Sequence, residues 1–195
     1  MRHVRYLALP ALLACGYAQA EGARLGFEYE LEKDRKTGIR NHALTAQPGW
    51  DFASERVINR VELLIDHNED AIHDESGVRA HENKLFLRLR HSRSFSEHGS
   101  YYLRGGVGKS FSSQRTFSYG YVEPGLKLGL DERWEWTLGV RYVDSIDGTD
   151  GQRVRKYITG PSFAVDPQNE LELRYVRGRG DKDVWSLGLG YVHRF

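Results

Sequence analysis

The chain has 195 residues with a formal net charge of +1, a mean hydropathy of −0.59, and one cysteine and one methionine. That length suits one domain, and a charge so near zero argues against a general nucleic-acid binder. The first segment reads Met1-Arg-His-Val-Arg-Tyr, then Leu7-Ala-Leu-Pro-Ala-Leu-Leu-Ala-Cys-Gly16, then Ala18-Gln-Ala20. A basic start, a short apolar core and a small-x-small end predict a signal peptide over 1–20. The apolar run is too short for a spanning helix of ~20 residues. Leu12-Leu-Ala-Cys15 loosely resembles a lipoprotein processing site, but Ala18-Gln-Ala20 fits cleavage better. Removal of 1–20 takes Arg2, Arg5, Met1 and Cys15, leaving a domain over 21–195 with a net charge of about −1. No disulfide, thiolate metal site or cysteine nucleophile is then available.

Alternation with a period of two runs through the rest, and it places successive side chains on opposite faces of strands. Over 24–32, Leu25, Phe27, Tyr29 and Leu31 oppose Gly26, Glu28 and Glu30. Over 53–66, Val57, Val61, Leu63 and Ile65 oppose Arg56, Arg60 and Glu62, and over 82–94 Leu85, Leu87 and Leu89 oppose Arg88 and Arg90. Segments 100–110 and 115–129 are rich in Tyr and Gly. Trp134, Trp136, Leu138, Val140 and Tyr142 oppose Glu135 and Arg141 within 134–145. Segment 153–165 has no cleanly apolar face, and Pro161 predicts a bulge there. Over 170–178, Leu171, Leu173 and Tyr175 oppose Glu170, Glu172 and Arg174. The last segment, 183–195, sets Trp185, Leu187, Leu189, Tyr191, His193 and Phe195 against Ser186, Gly188, Gly190, Val192 and Arg194.

Large apolar residues on one face and small or polar ones on the other is the lipid-out, lumen-in pattern of a transmembrane β-barrel. A soluble β-sandwich also alternates, but the leader, the aromatic residues near strand ends and a final Phe195 favour the membrane. The fold expected is an all-β, antiparallel up-and-down transmembrane barrel in the bacterial outer membrane. Short connections at 130–133 and 166–169 read as periplasmic turns, and longer polar ones at 144–152 and 177–183 as outer loops. Counting back from a periplasmic C-terminus makes His67–His81 an outer loop. It leaves two successive upward strands unless Ile39–Ala46 forms a downward one. The count is then ten, with eight and twelve as alternatives. A closed barrel has no open edge, so a monomer is expected.

The inward basic set is Arg56, Arg60, Arg88, Arg90, Arg104, Lys127, Arg141, Arg155 and Arg174, against Glu28, Glu30, Glu62, Glu123, Glu135, Glu170 and Glu172. One reading makes these cations an anion path, because arginine keeps its charge and grips carboxylates with two bonds. The other pairs them with the carboxylates across a narrow lumen and plugs it.

The chain resembles the oligogalacturonate-specific porin family, small monomeric channels for acidic oligosaccharides. The resemblance rests on Leu25-Gly-Phe-Glu-Tyr-Glu-Leu-Glu32, Ser54-Glu-Arg-Val57, Val122-Glu-Pro-Gly-Leu126, Leu138-Gly-Val-Arg-Tyr142 and Phe195, spread over most of the mature chain. It implies a twelve-stranded barrel with a basic lumen that passes acidic sugars by diffusion, and a terminal Phe195 read by the barrel-assembly machinery. This chain departs in being shorter and in having only a small basic excess. The function expected is an outer-membrane porin for small anionic solutes, with lipid and lipopolysaccharide around it. A plugged structural or adhesive barrel, and a barrel enzyme acting on lipid A or peptides, are the alternatives.

No enzymatic motif stands out. His91 and Ser92 are strand neighbours and point to opposite faces. Gly105-Gly-Val-Gly-Lys-Ser110 lacks the spacer and following helix of a phosphate loop, so its glycines are read as room for bulky neighbours. His67, His73 and His81 share a segment with Asp66, Glu69, Asp70, Asp74 and Glu75. Imidazole and carboxylate suit a divalent cation or an acid–base pair, but no spacing matches a metal motif, and the segment is read as a solvated loop. No metal or cofactor is expected.

Overall fold

The computed structural model describes residues 22–70, 81–112, 116–148 and 153–195; the expected signal peptide and His73, Asp74, Glu75 and Asp150 lie outside them. Ten antiparallel strands form one closed barrel: β1 (Ala23–Asp34), β2 (Arg40–Ser54), β3 (Val57–Asp70), β4 (His81–Ser96), β5 (Gly99–Ser112), β6 (Thr116–Gly129), β7 (Trp134–Ser145), β8 (Val154–Ala164), β9 (Asn169–Gly180) and β10 (Val184–Arg194). Each strand pairs with its sequence neighbours, and β1 closes on β10 from Arg24↔Arg194 to Asp34↔Val184. Ten strands replace the twelve that the family resemblance implies.

The weakly marked second strand is real and longer than expected. Ladder pairing carries β2 through Pro48, Gly49 and Trp50 to Ser54. Proline removes one donor from a ladder, and here it acts without shifting register. Pairing of β2 with β3 skips 47–48, β6 with β7 skips 123–124, and β8 with β9 skips 160–161, with the register the same on either side. The bulge expected at Pro161 is therefore absent. The one register shift among the described ladders lies between Ser94 and Ser96.

The barrel's outer wall carries the large apolar residues. Leu31, Leu44, Leu63, Leu87, Leu103, Val107, Leu126, Leu138, Leu173 and Leu189 are all exposed. An apolar surface that encircles the molecule is stable only in lipid. Aromatic residues mark its two borders: Trp50, Phe52, Tyr101, Trp134 and Tyr191 at one end, Phe111, Tyr142, Tyr157 and Trp185 at the other, as in membrane-interface girdles. The first end holds Gly22, Phe195 and the short turns, and is periplasmic by the usual barrel pattern. The chain is thus a transmembrane barrel of the outer-membrane type.

Two turns at the periplasmic end are closed by aspartate side chains. Asp131 accepts from the amides of Arg133 and Trp134, and Asp166 from those of Gln168 and Asn169. The outer connection expected over His67–His81 is shorter than the sequence reading, because β3 runs on to Asp70 and β4 begins at His81.

Candidate functional site: a lumen divided by a charged septum

Inside the wall the polar residues meet in two vestibules. The outer one, about 260 Å³, is lined by Glu30, Glu32, Asp66, Glu82, Lys84, Lys156, Lys182 and the rings of Phe86, Phe117, Tyr119 and Tyr121. The inner one, about 560 Å³, is lined by Arg24, Arg60, Arg90, Ser92, Lys127, Glu135, Glu170, Glu172 and Arg194.

Between them lies a layer of buried, paired charge. Glu62 is 1% exposed and accepts from Arg88 Nε at 2.6 Å, while the same guanidinium donates to Gln47 Oε1 at 3.0 Å. Gln47 in turn donates to Glu28 at 3.2 Å, and Glu28 pairs with Arg174, which also reaches Glu30 at 3.1 Å. Glu123 is 0% exposed and has three partners: the Tyr102 hydroxyl at 2.9 Å, Arg141 Nε at 2.6 Å and Arg104 Nε at 3.6 Å. The Arg90 and Arg104 guanidinium groups, cross-strand partners of each other, both lie over the Tyr102 ring, 5.0 and 4.9 Å from its centroid. Cations over a ring face are drawn to its negative face.

Glycines make this layer geometrically feasible. A Cβ on Gly139 would stand 2.5 Å from the Tyr102 hydroxyl, and one on Gly125 2.3 Å from its Cζ. Only hydrogen at both positions lets Tyr102 reach Glu123. The Gly105–Ser110 segment works likewise, since Cβ atoms on Gly106 and Gly108 would collide with the Phe86 ring and with backbone oxygens of β4. The glycines expected to make room for bulky neighbours do so for Phe86.

The nine expected lumen cations divide into four groups. Arg88, Arg104, Arg141 and Arg174 belong to the septum, with Arg88, Arg141 and Arg174 also lining the outer vestibule. Arg60, Arg90 and Lys127 line the inner vestibule. Arg56 sits in the exposed β2–β3 turn at the inner mouth. Arg155 is a correction: it is exposed on the outer wall beside the Tyr142 ring, 5.1 Å from its centroid. The phase of β8 was misread because its inward positions include Val154 and Ile158, both buried, so apolarity does not mark the lipid face there.

Sequence reasoning missed Arg24, Lys84 and Lys156 as inward cations, left Arg194 out of the tally although it placed it on the lumen face, and missed Asp51, Asp66, Glu82 and Glu32 as inward anions. Their signal was parity within the strands. Lys84 is two residues from Phe86 and four from Arg88, and Arg24 is four from Glu28. With these included and Arg155 removed, the lumen's carboxylates nearly match its cations, and a small basic excess remains. Arg60 grips Asp51 with two bonds, at 2.5 and 2.8 Å. Lys84 meets Glu82 at 2.9 Å and Asp66 at 4.0 Å, and Lys156 meets Glu32 at 3.4 Å. Lys127 pairs with Glu135 and Arg194 with Glu170. Arg90 departs from this pattern: its Nε donates to Ser92 Oγ at 2.8 Å, and its guanidinium has no carboxylate within 4.0 Å among the described residues. Buried Arg24 has its Nε 3.8 Å from Glu62 and without a hydrogen-bond acceptor.

His91 is exposed while Ser92 is buried, so the adjacent pair forms no hydroxyl–imidazole dyad.

No family model and no curated protein matches the sequence. Among solved structures the barrel is similar to an outer-membrane channel from Pseudomonas putida F1, at 10% identity over 91% of this chain and 97% of that one, with a TM-score of 0.57. It is similar to the beta domain of the Bordetella autotransporter BrkA, at 10% identity over 89% and 99%, with a TM-score of 0.56. It is also similar to the KdgM porin, at 11% identity over 87% and 99%, with a TM-score of 0.50. At such identities the likeness establishes the fold, an outer-membrane β-barrel.

Proposed function

We propose that the protein is a narrow outer-membrane channel for small anionic solutes, with Arg60, Arg88, Arg90, Arg104, Lys127, Arg141 and Arg174 along the path and Arg56 at its inner mouth. The observation that carries this reading is the inner vestibule's unmatched arginine. Arg90 faces the lumen with a hydroxyl rather than a carboxylate as its hydrogen-bond partner, so an entering anion meets a cation that owes nothing to an internal counter-ion. Passage through the septum then works by exchange. A solute carboxylate takes the place of Glu62 or Glu123 on a guanidinium and passes it back on leaving. The septum's Arg88–Glu62 and Arg141–Glu123 contacts are each a single Nε–H···O bond, so the guanidinium keeps further donors to offer an incoming carboxylate. Acidic oligosaccharides such as oligogalacturonates are the substrate class favoured by the sequence resemblance, and the similar KdgM porin has been seen with disordered oligogalacturonate.

The septum itself favours a second reading, a plugged barrel whose interior charges only hold the wall together. The two separate in a planar bilayer. Refolded protein should give steady conductance with a reversal potential biased to anions in a salt gradient, and Arg88→Glu with Arg141→Glu should reduce that bias. Silence from a well-folded barrel would assign the lumen to the plugged reading.

A further inference from the structure

The outer rim holds a cluster that a channel does not use. His67 and Glu69 are alternate residues of β3 and therefore share its outer face. Across the ladder Glu69 is paired with His81 and His67 with Asn83 of β4. The two imidazoles stack with centroids 5.9 Å apart and planes 15° apart, and His67 Nε2 lies 3.9 Å from Glu69 Oε1. One ligand atom from each of His67, Glu69 and His81 falls within 4.8 Å of the others. One step lower on the same face stand Ile65 and Leu85, paired with each other, so the cluster lies just beyond the apolar wall.

Asn83 gives the cluster its polarity. Its Oδ1 is 2.7 Å from His67 Nδ1. An amide oxygen only accepts, so Nδ1 carries the proton and Nε2 carries the lone pair. That lone pair is on the nitrogen beside Glu69. A histidine whose second nitrogen donates to a fixed acceptor is the usual arrangement behind a metal-bound imidazole.

We propose that His67, Glu69 and His81 bind a divalent transition-metal ion of the Zn²⁺ type, with Asn83 positioning His67. Two imidazole nitrogens and one carboxylate oxygen match the ligand preferences of Zn²⁺ and exclude the all-oxygen sets of Ca²⁺ and Mg²⁺. Donors at ~2.0–2.2 Å from a tetrahedral ion stand roughly 3.4 Å from one another. Closing the cluster onto an ion therefore takes side-chain rotation of about an ångström, with the strand backbones left in register. The fourth position faces outward and takes water. Bound metal would clamp β3 to β4 where they leave the membrane.

The test uses untagged barrel, refolded in detergent and shown to be folded by its heat-dependent gel mobility. Zn²⁺ is titrated by calorimetry, and Co²⁺ is used as a probe whose visible bands report tetrahedral nitrogen and oxygen ligation. One saturable site per barrel is expected, with Zn²⁺ displacing Co²⁺. His67→Ala and His81→Ala should each remove saturable binding, and His91→Ala should leave it as in the parent. Asn83→Ala should weaken binding at least ~10-fold, while Asn83→Asp, which keeps an acceptor, should restore it. Absence of saturable binding by the folded parent, or binding that survives the combined loss of His67 and His81, overturns the site. Equal affinity for the parent and Asn83→Ala overturns the positioning role.

Discussion

The two vestibules hold similar amounts of charge and use it differently. In the outer one every cation with a resolved partner is matched closely: Lys84 by Glu82 and Asp66, Lys156 by Glu32, Arg174 by Glu28 and Glu30. In the inner one Arg60 is matched by Asp51, but Arg90 and Arg24 are left with a serine hydroxyl and a 3.8 Å contact. Similar totals therefore hide an uneven field. Pairing is closer in the outer half, where Lys182 is the cation with no carboxylate within 4.0 Å among the described residues. An anion can compete for a guanidinium most easily where the protein supplies no carboxylate of its own, so selectivity should be set below the septum rather than at the outer mouth.

The boundary between the halves is the first thing to break. Replacing Glu123 by Ala leaves Arg141 and the Tyr102 hydroxyl without their shared acceptor and Arg104 without its nearby counter-charge. Removing one partner of a buried ion pair typically costs ~3–5 kcal/mol, and here two hydrogen-bond donors and a further guanidinium depend on this carboxylate. Glu123→Ala should lower the urea midpoint of the refolded barrel. It should also raise single-channel conductance and strengthen anion preference, because the freed guanidiniums face the path. A midpoint and conductance equal to the parent's would mean that the septum neither holds the wall nor restricts passage.

A finer comparison reverses one charge in each vestibule. Arg90→Glu removes the unmatched cation, and the reversal potential should move clearly toward cations. Lys84→Glu changes the formal charge equally but acts beside Glu82 and Asp66. Its main effect should be on stability, through three carboxylates in one place, with the smaller change in selectivity. Equal shifts in reversal potential from the two variants would show that total charge, and not pairing, governs the lumen.

Much of this architecture was legible because strands have a period of two and a barrel must close. Parity counted from the C-terminus demanded a strand near 39–46, and β2 is there. Its full length to Ser54 was not foreseen; the strand runs on through Pro48 and Gly49, which the ladder tolerates. The lumen was less legible, since a charge at a strand end is ambiguous in sequence: Asp66 looked like part of a loop and is a lumen residue of β3. Arg155 failed for the opposite reason, because Val154 and Ile158 face inward and invert the usual rule. Ion pairing follows strand register: Arg88 stands opposite Glu62 in the β3–β4 ladder, and nothing local to Arg88 announces that partner rather than Glu28 or Glu123. The rim cluster was half visible, as histidines and acids in one segment, but strand register decides that His67, Glu69 and His81 meet.

The smallest effect should come from the periplasmic turn that holds the inner vestibule's last ion pair. Asp166 caps the turn into β9, where Glu170 meets Arg194. The Asn169 side chain, together with the turn's amides, holds the Asp166 carboxyl below the usual aspartate range. A group with its native pKa lowered stabilises the fold fully above its unfolded value of ~3.9, and that contribution disappears as pH falls through the lower native value. Asp166→Asn keeps an acceptor but cannot ionise. It should therefore lower the thermal midpoint slightly near neutral pH, with the difference from the parent closing in acid. A deficit that stayed constant from neutral pH down to below pH ~3 would mean that the turn depends on shape and not on the carboxylate's charge. Because the residue is fully solvated, the change should leave conductance and selectivity as they are. That separates the fold's periplasmic closure from the charge arrangement above it.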